Sequence, residues 1–155
     1  NYRTMLTGLQ HMHSLLRYVL LIFLVWSTVN ALLKMRGKKP FIAIDNKLSL
    51  YTFILAHVQL LLGLALYFIG ANGFKLFEKG MSAVMSVSVF RFFAVEHIVG
   101  MLVAIALITV GRVKSKKLTD DIAKHKTTFT FFVIALLIIL VTIPWPFRNM
   151  GTAWI

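Results

Sequence analysis

Seven ionisable residues of this 155-residue chain lie within or at the mouths of long apolar runs: His11, His13 and Arg17 in the first, His57 in the second, and Arg91, Glu96 and His97 in the third. An ionisable side chain at that depth costs about 2.5–3.5 kcal/mol on insertion scales, so each needs a partner or a task. Two imidazoles on facing helices, at similar depth, can ligate one metal from opposite sides, and a haem iron asks for that arrangement. Counting about 1.5 Å per residue from the ends of the runs brings His57 and His97 toward the bundle middle with a depth difference of roughly 5–8 Å. His11 and His13 flank Met12 and diverge by about 200° on a helix, so only one can face inward. His13 is the better inward candidate because Arg17 shares its face, and it could replace His57 as the partner of His97 at roughly 9 Å of depth difference. The sequence leaves both pairings open.

Small residues accompany the histidines. Gly100 and Ala104 follow His97 on one face and Gly63 and Ala65 follow His57, a low profile that would admit a flat ring. Arg17 and Arg91 supply positive charge of the kind haem propionates pair with. The structural alternative is that each imidazole bonds a neighbouring helix, Glu96 or a backbone carbonyl and only fixes packing. Glu96 either neutralises Arg17 or Arg91 or relays protons. Met5, Met12, Met81, Met85 and Met150 near His11 and His13 form a soft donor set that would also suit copper. His125, between Lys124 and Lys126, reads as a solvated part of a basic, lipid-facing segment.

The elements that must carry these residues are all helical. With 59% hydrophobic residues and a mean hydropathy of +0.82, the chain is too apolar for an ordinary soluble domain. Apolar runs at about 13–33, 48–69, 88–111 and 127–143 predict four transmembrane helices in one membrane domain spanning 1–155, an all-α bundle. The first run is too long for a signal-peptide core and is expected to be a retained span. Pro40 and the Asp45-Asn46 pair punctuate the first loop, and the stretch after Gly73 is amphipathic, predicting a short helix or ordered loop. Pro144-Trp145-Pro146-Phe147 ends the fourth helix, with Trp145 at headgroup level and Trp154 in the tail.

The formal net charge of +12 is concentrated between spans one and two and between three and four. That pattern is topogenic, excludes a nucleic-acid face, and predicts both termini on the non-cytoplasmic side with a basic, lipid-binding cytoplasmic face. Cysteine is absent, which removes dithiol chemistry, iron–sulfur clusters and thiolate metal sites. No Gly-rich phosphate loop and no nucleophile with an adjacent base is present.

The segments Leu9-Gln10-His11-Met12-His13, Ala56-His57-Val58-Gln59-Leu60, Val95-Glu96-His97 after Arg91, and Ile143-Pro144-Trp145-Pro146-Phe147-Arg148 together resemble a family of small bacterial four-helix membrane proteins labelled cytochrome-b-like. In outline the layout is also similar to cytochrome b561-type and copper-resistance D-type membrane domains. The resemblance implies one b-type haem, with His57 and His97 (or His13 or His11) as ligands and Arg17, Arg91 and Glu96 nearby. It also implies electron transfer with a quinone within a larger respiratory assembly of the bacterial inner membrane. The alternatives are a haem-free accessory subunit of a multi-subunit membrane complex and a copper-handling membrane protein.

Overall fold

Apolar runs that cannot leave backbone amides unpaired in lipid must close their hydrogen bonds within each segment, so they become helices. In a computed structural model describing residues 1–150, four helices are long and apolar enough to cross a membrane. They are α1 (Tyr2–Arg36), α2 (Ala43–Ile69), α4 (Ser88–Lys117) and α5 (Asp121–Thr142). Between α2 and α4, a 3-10 segment (Phe74–Lys79) and the short helix α3 (Met81–Ser86) form the expected ordered connection. No strand occurs among the described residues, and Trp154 lies outside them.

Helix α1 packs on α2 and α5, and α4 packs on the same two, so α1 and α4 face each other across the diagonal of the bundle. The connections 37–42 and 118–120 are short and hold their helices antiparallel at one end, the basic one. Asn1 and the segment after Thr142 therefore share the opposite, terminal end.

The helices outrun the apolar stretches, because polar residues at a membrane boundary keep helical hydrogen bonds. Helix α1 begins at Tyr2 rather than near residue 13, and the Tyr2 hydroxyl anchors this extension by donating to the Ile69 carbonyl (2.6 Å) at the end of α2. Helix α5 begins at Asp121, with the Asp120 carboxylate accepting from the Ala123 amide (2.6 Å) as its N-cap.

The core runs along the bundle axis through Leu20 and Leu24 of α1, Ala56 of α2, Ala104 and Ile108 of α4, and Phe132, Ala135 and Ile139 of α5. Val25, Trp26, Val29 and Leu33 form an exposed apolar face on α1. Polar bonds join α1 to α2. The Ser27 and Thr52 hydroxyls pair at 2.8 Å, and the Asp45 carboxylate accepts from Lys34 (2.7 Å), Asn30 (2.7 Å) and the Ile42 amide (2.8 Å). Asp45 thus does cap its helix, and it also carries a buried ion pair that the sequence did not single out.

Gly100 does not form part of a slot for a flat ring. A methyl group there would collide with the Thr142 side chain, so the glycine lets α4 and α5 approach closely. We expect Gly100→Ala to lower stability by about 1–3 kcal/mol through overpacking, because β-branched Thr142 is stiff and cannot step aside. The same change at Gly8, with open space around it, should stabilise α1 by up to about 1 kcal/mol through helix propensity. Thermal midpoints in detergent report both signs, and an undiminished midpoint for Gly100→Ala would disprove the close approach.

Candidate functional site

All four long helices converge on one pair of imidazoles near the terminal end. The rings of His13 (α1) and His97 (α4) meet across the bundle diagonal with centroids 6.5 Å apart and planes at 74°. Helix α2 contributes Gln59, whose amide donates to the His13 carbonyl (2.9 Å), and Gly63, over which the His13 ring lies. Any Cβ at position 63 would come 3.1 Å from His13 Cε1. Gly63 therefore serves His13, not His57. Helix α5 contributes the Thr142 carbonyl, which accepts from His97 Nδ1 at 2.7 Å.

The Thr142 carbonyl is available for a reason written in the sequence. In a continuing helix it would accept from residue 146, but that residue is proline and has no amide hydrogen. Pro144 frees the Leu140 carbonyl in the same way, and the Trp145 indole donates to it (2.8 Å). The Val141 carbonyl takes Arg148 Nη1 at 2.8 Å. The Pro-Trp-Pro-Phe-Arg ending is thus a set of exposed carbonyls and the side chains that satisfy them. For His97 the consequence is a fixed tautomer: a carbonyl only accepts, so Nδ1 carries the proton and Nε2 keeps its lone pair.

Just before His97 the helix widens into a π turn over Phe92–Glu96, in which the His97 amide reaches back five residues to the Phe92 carbonyl. Such turns insert one residue into an α-helix and recur at functional sites. This one puts Phe92 and His97 on the same side with ring centroids 5.9 Å apart, and Arg148 caps the buried Phe92 ring at 4.7 Å.

Arg17 is buried one turn from His13, with its guanidinium bonded to the Tyr18 hydroxyl (3.1 Å) and lying 5.9 Å from the Trp145 ring. It places positive charge beside the pair, as its shared face with His13 implied. Arg91 and Glu96 instead spend their charges on each other: Arg91 Nε meets Glu96 Oε1 at 2.7 Å on a largely exposed surface. Glu96 thus neutralises Arg91, one of the two partners anticipated. His11 and the methionines Met5, Met12, Met81 and Met85 are exposed.

The structure does not bring His57 to His97. Its Nδ1 bonds the Phe53 carbonyl of its own helix (2.8 Å) and its ring packs on Phe53. His13 lies level with Gly63, six residues further along α2, which places His57 about 9 Å nearer the basic end. Depth counted from the apolar runs set His13 too near the mouth, because α1 has already made about three turns before reaching it.

His125 is corrected outright. It is fully buried, bonded through Nε2 to the Pro40 carbonyl (3.4 Å) and packed on Phe41. The early start of α5 places it on the inward face with Thr128, Phe132 and Ala135.

Two buried polar atoms at the histidine pair, His13 Nδ1 and Gln59 Oε1, have no hydrogen-bond partner. Among the described residues no cluster of three or more His, Cys, Asp or Glu side chains forms. An imidazole pair with an unsatisfied nitrogen, a second imidazole locked to present Nε2, and an adjacent buried cation can hold a two-ligand metal centre or move a proton. No protein-family model, curated protein or solved structure matches this chain.

Proposed function

We propose that this chain is a multi-pass inner-membrane subunit that holds one b-type haem between His13 and His97 and transfers electrons within a larger redox assembly. The observation that carries this is the imidazole pair across the bundle diagonal. A metal between two imidazoles needs two nitrogen–metal bonds of about 2 Å each plus the ring offsets, about 6 Å between centroids. The rings stand at 6.5 Å, and His13 Nδ1, on the ring edge that lies along Gly63, has no hydrogen-bond partner. A porphyrin iron needs only two protein donors, whereas a bare zinc or copper ion takes three or four.

When bound, haem supplies a one-electron carrier. The protein groups do the rest. The Thr142 carbonyl holds the His97 ring in one tautomer and orientation, Gln59 and Gly63 fix and seat His13, and Arg17 sets positive charge near the site. The positive-inside pattern supports a site in the non-cytoplasmic half, on the side of both termini, where quinone or a partner subunit's cofactor would be the electron partner.

A second reading has its own support. Gly100 seats Thr142 closely and His97 already has a carbonyl partner, so the same contacts would suit a haem-free accessory subunit. A dithionite-reduced minus oxidised spectrum of the protein purified in mild detergent separates the two. We expect a b-type α-band with about one haem per chain; a flat difference spectrum after expression with ample haem would leave the accessory-subunit reading.

A further inference from the structure

We infer that the basic end of the bundle contains a receptor for a phosphate group, centred on Arg112. The site is a partly enclosed cavity of about 240 Å³ between α2, α4 and α5, lined by Arg112, Asn46, Ser49, Ser115, Lys116 and Lys124. Liquid water occupies about 30 Å³ per molecule, so this space accepts a tetrahedral anion with some of its hydration.

The charge arrangement names the ligand class. Arg112 is 7% exposed, and among the described residues no carboxylate lies within ion-pair distance of it. Among the described residues its hydrogen bonds leave from Nη1, to the Ser49 hydroxyl (3.0 Å), the Asn46 carbonyl (3.2 Å) and Asn46 Oδ1 (3.4 Å). The remaining edge of the guanidinium is a donor fork, the geometry that binds phosphate bidentately. A buried cation held only by neutral acceptors is incompletely compensated, and an incoming anion would complete it.

The neighbours agree. Lys124 is tied to Asp121 at 3.4 Å and packs over Phe41, so it adds little net charge, but Lys116 lines the cavity with no acidic partner among the described residues. The Ser49 hydroxyl also lines the cavity, where it accepts from Arg112. Basic pockets between membrane helices, at headgroup level, take lipid phosphates. A free phosphate ion presents the same oxygens.

The test uses the full chain in non-ionic detergent and follows its thermal midpoint during separate titrations with dioleoylphosphatidylglycerol, with inorganic phosphate, and with chloride at matched ionic strength. A saturable rise with phosphatidylglycerol alone identifies a lipid headgroup as the source. A saturable rise with phosphate, absent with chloride, identifies the free anion. No saturable rise with either overturns the proposal. Arg112→Gln should abolish the effect, and Lys116→Ala, at an exposed position that does not support the fold, should weaken apparent affinity about fivefold. Should Arg112→Gln fail to fold, Lys116→Ala decides alone, and full affinity in that variant overturns the assignment.

Discussion

His13→Ala and His97→Ala are each expected to abolish the b-type α-band, and His57→Ala to leave it in place. Were haem bound as proposed, His13 and His97 together would hold it, so loss of either imidazole would remove the band even where some haem stayed bound. The two variants differ in side effects. Removing His97 leaves the Thr142 carbonyl without a donor, since Pro146 cannot supply one, and a buried unsatisfied carbonyl costs about 1–3 kcal/mol. His97→Asn separates that loss from ligation, because an amide can donate to Thr142 without replacing the imidazole as ligand. Replacing His57 removes only a bond within α2. A normal band in either His13→Ala or His97→Asn would sink the assignment of that ligand, and a band lost only in His57→Ala would return the role to that residue.

Asp45→Ala should be the most destabilising single change at the basic end, at about 3 kcal/mol. The carboxylate side chain is only 2% exposed and accepts from Lys34, Asn30 and the Ile42 amide. Its removal strands the Lys34 ammonium, which is itself 20% exposed. Breaking one partner of a buried pair costs about 3–5 kcal/mol, and the low end applies because Lys34 can reach toward water. Asp45→Asn keeps a capping oxygen but not the charge, so it should fall between wild type and Asp45→Ala. Reversible unfolding in mixed micelles, with Lys34→Ala completing a double-mutant cycle, measures the coupling. A cycle that closes with no interaction energy would show the pair to be ornamental.

Much of the fold can be read in the sequence because lipid allows an apolar run few outcomes. The four runs, their order, the two tight basic connections and the ordered link after Gly73 all correspond to structure. Helix ends are less legible, since residues 2–12 and 121–126 are polar enough to read as loop and yet extend α1 and α5.

That uncertainty propagates into the site. Depth measured from an apolar boundary puts His13 and His97 far apart, whereas the true start of α1 brings them together. The small residues beside the histidines were visible, but whether a glycine admits a cofactor or a neighbouring helix depends on what lies opposite. For Gly100 that is Thr142. Arg112 and His125 were hidden in a stretch whose charge reads as topogenic, and only inward rotation distinguishes them from the lysines around them. The Pro-Trp-Pro-Phe-Arg ending was better marked than it was understood. Prolines spaced four residues after Leu140 and Thr142 announce which carbonyls will need outside donors.

The π turn before His97 lets an otherwise even screw carry one surplus residue. Each residue added to or taken from an α-helix rotates everything beyond it by about 100°. The wide turn absorbs that rotation, so Phe92 and His97, five residues apart, share a side as residues four apart do in a regular α-helix, whereas at uniform α pitch the same spacing would turn Phe92 from His97 by about 140°. The surplus residue therefore leaves the outer segment and the histidine pair in one angular register.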